Sequence, residues 1–544
     1  MKRWNILSEY VSNKNISEQI LLTRGITQVE DFINTPSISD YFSLFSVELK
    51  NSLKKAKNLI EEAIKSENTI VIYGDYDADG ICSTAILYNT IKNERKYDPV
   101  IPFIPNRFEH GYGLSIKAIQ KIIDEEKLSK GALFITVDTG VTATEEISFL
   151  KEKGFQVIVL DHHQKPEVLP SADCLVWDDQ VVACSLAWLL SKVIGSKDLQ
   201  SVSLVALATV TDLQPLIGFN RSVVKKGLEI LNTKPPLGVS ELIKAAGRTE
   251  AEITTYDLGW VIGPRLNASG RLVDAKDSLT LLTEKDGAKV KEAAQTLNNL
   301  NNERQSKTLE MYELASNYPE GELPKITFSE NENYHEGIIG LVAAKLVQKY
   351  HRPAIVISLS DGFGKGSARS IKGVDIIKFL RLYEDLFENL GGHPMAAGFN
   401  IKKENITTLK NRMLSVVDEH ISEEALIPDL IVDLKIPIEI VSLNLVNEIE
   451  RLKPFGLGNE EPLFMSENLG VAEINSMGKD NQHLRLKLYQ EGKNYKAVYF
   501  GGGQYAKDLK FGDRIDIVYS LKKNEYNGNV SVDLVLKDFR MLSV

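Results

Sequence analysis

Three aspartates, Asp75, Asp77 and Asp79, stand within five residues in the segment Gly-Asp-Tyr-Asp-Ala-Asp-Gly at 74–80. Asp138, the triplet Asp161-His162-His163, and Asp212 follow further along the chain. Each group closes a short apolar run: TIVIY before Gly74, LFITV before Asp138, VIVL before Asp161 and VALATVT before Asp212. Carboxylates gathered at the ends of buried strands repel one another. The usual reason for such a gathering is a divalent cation, with oxygen ligands for hard ions and imidazole for borderline ones. Asp77 and Asp79 alternate about Ala78, so both can reach a shared ion from one turn. Two ions about 3.5–4 Å apart would clamp the attacking and leaving oxygens of a phosphoryl hydrolysis and lower the pKa of a bound water. Asp and Gly also favour tight turns, which would explain 75–80 taken alone. The serial recurrence of acidic and histidine groups argues for the metal site.

The elements that must position these residues can be read from pattern. From 69 to 215, short apolar runs alternate with helix-like segments, which predicts βα units around a mostly parallel sheet. Such sheets bind ligands outside the carboxyl ends of their strands, where the acidic residues fall. The run before Asp212 contains Ala and Leu and is open to a helical reading as well. Residues 1–60 are polar and helix-prone, and are expected to pack on the catalytic domain at 61–273. The segment 274–320 is a connector, with one long polar helix over 289–312. A smaller α/β domain follows at 321–425, with strands predicted at 326–328, 354–357 and 397–401 and a helix at 337–350. From 429 to 544, strand-like runs at 484–488, 495–500, 514–521 and 530–536, with a hairpin signal at Asn527-Gly528, predict a small antiparallel barrel.

Composition bounds the class. A chain of 544 residues requires two to four domains. Three widely separated cysteines, Cys82, Cys174 and Cys184, suit a reducing cytoplasm and no disulfide framework. The first ten residues lack the apolar core of a signal peptide, and no run approaches a membrane span. A net charge of −10 argues against bulk polyanion binding, so basic residues matter by location. Residues 481–544 hold eleven Lys or Arg against seven Asp or Glu, a local +4 interleaved with Tyr495, Tyr499, Phe500, Tyr519 and Tyr526. Aromatic platforms in a basic groove hold single strands, although tyrosines are also ordinary strand formers. Arg107, Arg265, Arg271 and Arg369, the last beside Ser367, lie among small residues, and guanidinium groups grip phosphates bidentately. Gly391-Gly392-His393 would expose backbone amides to a ligand, though alone it equally suits a tight turn. His335-Glu336-Gly337 reads as a helix start.

The motifs YGDYDADG (73–80), TVDTG (136–140), DHH (161–163), TVTDL (209–213), GPRLNASGR (263–271), GSARS (366–370) and GGHPMAAGF (391–399) span most of the chain. In this order they resemble the DHH phosphoesterase superfamily, and the full-length pattern is similar to its single-stranded-DNA-specific exonuclease branch. The resemblance implies an α/β, parallel-sheet DHH domain joined by a long helix to a smaller α/β DHHA1 domain, followed by a β-barrel OB-type domain. It implies two divalent ions, Mn²⁺ or Mg²⁺, on Asp77, Asp79, Asp138, His162 and Asp212, with Asp138 bridging. Many members carry a histidine near Tyr73. Tyrosine ligates these ions poorly, so Asp75 is expected in that coordination place. Asp161 would orient the histidines, and His163 would contact phosphate or orient water. Gly391 and Gly392 would form a phosphate-binding loop, with His393 facing the scissile phosphate. Arg107, Arg271, Ser367 and Arg369 would hold a terminal 5′-phosphate, and Asn267 would cap or orient the loop at 263–271.

The implied activity is 5′-to-3′ hydrolysis of single-stranded DNA to mononucleotides in recombination and repair. It would be carried out by a cytoplasmic monomer, with a single-strand-binding protein and a helicase as partners. Two rival readings are a small-substrate phosphodiesterase acting on nanoRNA, cyclic dinucleotides or pyrophosphate, and a catalytically inactive DNA-binding scaffold. The first needs no barrel; the second predicts eroded metal ligands, yet all five are present.

Overall fold

A computed structural model describes residues 2–12, 14–111, 113–248, 252–318, 323–526 and 528–542. The chain divides into two compact units. One comprises Ser37–Leu426 with Gly456–Gly458, and the other comprises Met1–Pro36, Ile427–Phe455 and Asn459–Val544.

In the larger unit, five parallel strands lie in the order Val100–Phe103, Ile70–Gly74, Leu133–Val137, Gln156–Asp161, Cys174–Trp177. The first two strands of this sheet in chain order, Ile70–Gly74 and Val100–Phe103, run outward in one direction and the later ones in the other. The order therefore reverses between Ile70–Gly74 and Leu133–Val137, the point where open α/β sheets bind ligands. Period-two alternation sends side chains to two different cores. Ile70, Ile72, Leu133, Ile135, Ile158 and Leu160 face one; Val71, Tyr73, Phe134, Val157 and Val159 face the other. Helices Val47–Lys65, Ala78–Tyr88, Ala183–Val193 and Ser201–Thr211 cover the first face, and Ile116–Glu125 and Thr144–Glu152 the second.

The run before Asp212 is helical: Ser201–Thr211 is buried from Ser201 to Thr209. An all-round apolar helix of this kind carries no period-3.6 signal, which is why it resembled a strand. The connector consists of two helices, Lys276–Thr283 and Gly287–Ala315. Beyond it, a five-stranded sheet runs in the order Phe387–His393, Ala396–Lys402, Phe363–Arg369, Ala354–Ser360, Thr327–Asn331; only the last pair is parallel. The motif GSARS thus lies largely in a strand. Gly391-Gly392-His393 also lies in a strand, with the turn displaced to Pro394-Met395. Gly392 has φ +148°, and a Cβ there would lie 2.3 Å from the Ala396 carbonyl oxygen, so only glycine can pass.

In the smaller unit, Phe464–Met477, His483–Gln490, Lys493–Tyr499, Asn529–Met541 and Arg514–Tyr526 pair in sequence, and Phe464–Met477 closes onto Arg514–Tyr526. The result is a closed five-stranded barrel. The hairpin runs as far as Tyr526 opposite Asn529; Asn527 lies outside the described residues. Residues 1–60 do not form one segment on the catalytic domain. Met1–Pro36 belongs to the barrel unit. Arg3–Ile6 pairs in parallel with Asp429–Val432, and Ile16, Ile20, Leu21, Phe32 and Ile33 join the barrel's core. A half-apolar helix can cover any complementary face, so its sequence does not name its partner. Among the described residues, no helix is long and apolar enough to cross a membrane.

Candidate active site

The acidic and histidine residues converge at the strand ends. Asp77 caps helix Ala78–Tyr88, accepting hydrogen bonds from the Asp79 and Gly80 amides at 2.9 and 3.2 Å. The cap is tight: a Cβ on Gly80 would sit 2.5 Å from the Asp75 nitrogen. Asp79 is fixed from the opposite side, because the Ala183 and Cys184 amides donate to its two oxygens at 2.9 and 2.7 Å. Asp138 stands just beyond Leu133–Val137 at φ +61°, a conformation few non-glycine residues adopt. Its amide donates to the Leu160 carbonyl at 3.0 Å. Asp212 is the C-cap residue of Ser201–Thr211.

His162 is the hub. Its Nε2 lies 3.2 Å from Asp138 Oδ1 and 3.6 Å from both Asp79 Oδ2 and Asp212 Oδ2. Asp161 accepts from four donors: the Val141, His162 and His163 amides and, at 2.7 Å, His163 Nδ1. This single carboxylate therefore sets the placement of both histidines. Three sets have ligand atoms mutually within 4.8 Å: Asp75, Asp77 and Asp138; Asp79, His162 and Asp212; Asp138, His162 and His163. Asp138 belongs to two of them. The Tyr73 hydroxyl donates to the Gly113 carbonyl at 3.1 Å.

The protonation equilibria reflect this crowding. Burial and then Asp77 push Asp75 up to about 8. Burial and Asp77 raise Asp212 to about 7. Asp79 and Asp138 are raised well above the carboxylate range by burial and by their acidic neighbours. Asp161 behaves oppositely: burial would raise it, but its hydrogen bond with His163 holds it below its ordinary value. Burial, followed by the His163 charge, lowers His162 to about 4, so its imidazole is neutral and able to ligate. Burial would also lower His163, yet the Asp161 hydrogen bond and charge outweigh it and raise it to about 9. Asp75 Oδ1 is buried without a hydrogen-bond partner among the described residues. Hard oxygen donors, one neutral imidazole and mutually repelling carboxylates suit divalent cations.

A second cluster is cationic. Arg271, at the end of helix Gly263–Leu272, has Arg107 as a charged neighbour and is itself felt by Arg369. Arg107 stacks over the Tyr76 ring at 5.1 Å. Arg369 donates to Ser367 Oγ at 3.0 Å. Arg265 donates to Asn298 and to the Val261 carbonyl. His335 meets Phe108 edge to face at 5.8 Å. His393 is exposed, and its Nδ1 accepts from the Met395 amide at 3.3 Å. Among the described residues, no hydrogen bond or ion pair joins His393 to the acidic set. In the barrel unit, Tyr519 is fully buried and its hydroxyl pairs with Ser466, a core role. Tyr499 stacks on Tyr505 at 5.8 Å, and Phe500 is exposed.

The DHH family, N-terminal domain, matches residues 69–209; the DHHA1 domain matches 323–422; the RecJ OB domain matches 432–538. The single-stranded-DNA-specific exonuclease RecJ of Bacillus subtilis is 32% identical across 98% of this chain and 69% of its own length. The RecJ of Haemophilus influenzae is 31% identical across 97% of this chain and 96% of its own. The chain belongs to the RecJ family. The crystal structure of RecJ from Thermus thermophilus in complex with Mn²⁺ superposes with TM-score 0.83 at 28% identity, and the match covers all of this chain and 80% of that one.

Within the RecJ family frame, two site features escaped the sequence reading. Arg304, on the connecting helix, is a neighbour of Arg271 and Arg265. Asn301, one turn earlier, is fully buried. Their signal was a charged and an amide residue three apart in a polar helix, which solvated helices show routinely. Gln214 is the other, its side-chain nitrogen 3.4 Å from His162 Nδ1.

Proposed function

We propose that this RecJ-family chain is a metal-dependent exonuclease that hydrolyses single-stranded DNA from its 5′ end to mononucleotides, in DNA recombination and repair. The observation that carries the reading is the interlocking of three ligand sets through Asp138 and His162 at the sheet's switch point. Asp75, Asp77, Asp79, Asp138, His162 and Asp212 would hold two Mn²⁺ or Mg²⁺ ions. When bound, the ions supply positive charge for phosphate oxygens and make water acidic enough to attack at neutral pH.

The chain's own residues prepare that chemistry. Asp161 holds His163 in its protonated form near the acidic set, where a cation would stabilise charge building on the phosphate. Gln214 contacts the far nitrogen of His162 and orients the ring. Arg107, Arg271, Ser367 and Arg369 would bind the terminal 5′-phosphate and so set polarity. Gly391, Gly392 and His393 would close on the scissile phosphate from the second lobe. This needs the hairpin to approach the acidic set when substrate is present. The barrel would hold the trailing strand. A cytoplasmic monomer working with a single-strand-binding protein and a helicase completes the proposal.

The test is digestion, with added Mn²⁺, of one single-stranded DNA labelled at either end, beside a blunt duplex and a dinucleotide. Mononucleotides should leave first from the 5′ label, with the duplex spared. Cleavage of the dinucleotide alone would assign the chain to small substrates.

A further inference from the structure

We propose that the turn Gly456-Leu457-Gly458 is a positioning element of the metal centre: it holds the connection between helices Ser201–Thr211 and Gly218–Thr233 so that Asp212 and Gln214 meet His162. This rests on the reading of the acidic set as a metal centre, and adds to that centre a segment from a distant part of the chain.

The connection is short and bears chemistry. Residues 212–217 join the two helices. Asp212 shares a ligand set with Asp79 and His162. The Gln214 side-chain nitrogen lies 3.4 Å from His162 Nδ1. Between Asp212 and Gln214, Leu213 takes φ +57°. A left-handed backbone is uncommon for such a residue and persists where the surroundings hold it. Leu213 is 70% exposed, so its own packing supplies little of that hold. The helix end supplies one part. The Leu213 and Gln214 amides donate back to the Val210 and Thr209 carbonyls at 3.3 and 3.1 Å.

Residues 456–458 supply the other part. The Leu216 amide donates to the Leu457 carbonyl at 2.7 Å. Glycines on both sides let the turn come this close. A Cβ on Gly456 would lie 2.6 Å from Leu216 Cδ1, and one on Gly458, at φ +73°, would lie 3.0 Å from Pro215 Cβ. Leu216 is buried in the larger unit's core, and Asn220 Nδ2 donates to the Pro215 carbonyl at 3.2 Å. The far half of the connection is therefore fixed by the turn and by Asn220, as the near half is fixed by the helix cap.

The turn is rigid enough to do this. Gly456–Gly458 is part of the larger unit, but the residues on both sides of it belong to the smaller. There Asn459, wholly buried, ties the base of the turn. Its Nδ2 donates to the Leu452 and Pro454 carbonyls at 2.8 and 2.9 Å, and its Oδ1 accepts from Arg24 at 3.2 Å. Arg24 in turn grips both Asp433 oxygens at 2.7 and 3.0 Å and the Glu460 carbonyl at 2.8 Å. A turn already ordered by its own bonds loses little entropy in holding another segment.

The effect should be selective. Groups that orient a ligand without touching the ion change metal affinity about ten- to a hundredfold when lost. The set of Asp75, Asp77 and Asp138 has no member on this connection, whereas the set of Asp79, His162 and Asp212 does. The turn therefore acts on one ion and spares the other.

The experiment titrates Mn²⁺ into the full chain without DNA and reads free Mn²⁺ by electron paramagnetic resonance. Wild type should bind two ions, and Asp212→Ala should lose one of the two steps. Gly456→Val, whose side chain claims the space of Leu216, should weaken that same step about tenfold and leave the other unchanged. It should add nothing in the Asp212→Ala background. Its hydrolysis of single-stranded DNA should fall at low Mn²⁺ and recover at high Mn²⁺. Two wild-type binding steps in Gly456→Val overturn the role of the turn. Equal weakening of both steps also overturns it, as a general loss of structure. If wild type binds fewer than two ions, or Asp212→Ala keeps both steps, the metal-centre reading fails instead. Should Gly456→Val not fold, Gly458→Ala carries the test, since it places a methyl group against Pro215 at a left-handed position; wild-type binding of both ions in it would reject the proposal.

Discussion

The acidic centre and the arginine cluster are mirror images that answer burial differently. In both, like charges are withdrawn from water and crowded together. The carboxylates respond by rising toward neutrality, Asp75 to about 8 and Asp212 to about 7. They can shed the strain by taking protons. The arginines are depressed, Arg304 to about 10, yet remain charged at neutral pH. A cluster that can protonate tolerates an empty site; one that cannot stays permanently poised for an anion. The contrast suits the proposed pairing of a metal centre with a phosphate-binding pocket.

The heaviest blow to the acidic side is Asp138→Ala. It removes one of the two residues that each belong to two ligand sets, so single-turnover hydrolysis should fall by about a thousandfold, equivalent to several kcal/mol of metal-derived stabilisation. A residual rate near wild type would dismiss the two-ion arrangement. On the basic side, Arg369→Ala should erase the preference for a 5′-phosphorylated strand, a loss of about ten- to a hundredfold; competition between the two strands in one tube measures it. Asp161→Asn tests the link between histidines and metal ligands. It should slow hydrolysis about ten- to a hundredfold, and His163 should titrate well below about 9 by NMR. An unmoved His163 would show that Asp161 does not hold its proton.

The smallest effect concerns stability. For carboxylates whose folded pKa is raised, the native state binds more protons than the unfolded one, so stability falls as pH rises. In metal-free protein this decline should run from roughly pH 4, the ordinary aspartate value, to about 8. Mn²⁺ should restore stability, and more so at the upper end of that window. Thermal melts with and without Mn²⁺ across it provide the check; a melting temperature of the metal-free protein that climbs steadily to pH 8 would contradict the mirror-image account.

Legibility in the sequence followed the range of the physics. Strand ends carrying Asp75, Asp138 and Asp161 were visible because continuous, β-branched apolar runs and turn residues are local signals. The barrel strands from 484 onward were visible for the same reason, although Phe464–Met477 was missed, its pattern broken by a register shift near Ser466 and Leu469. Helix Ser201–Thr211 was ambiguous because burial on all sides erases periodicity. Gly391-Gly392-His393 looked like a loop because glycine signals freedom of backbone rather than its use, and here the freedom serves a close strand pairing.

The amino-acid order alone determined the chemical inventory: which carboxylates and imidazoles exist, that they end apolar runs, and that a parallel sheet, a connector and a barrel follow one another. Those properties come from local backbone preference and pattern. Only the tertiary structure decided that Asp138 and His162 join three ligand sets, that residues 1–36 complete the barrel unit, and that Arg304 comes within electrostatic reach of Arg271. Each of these depends on contacts between residues far apart in the chain, made by packing and charge that act through space, and no local pattern encodes them.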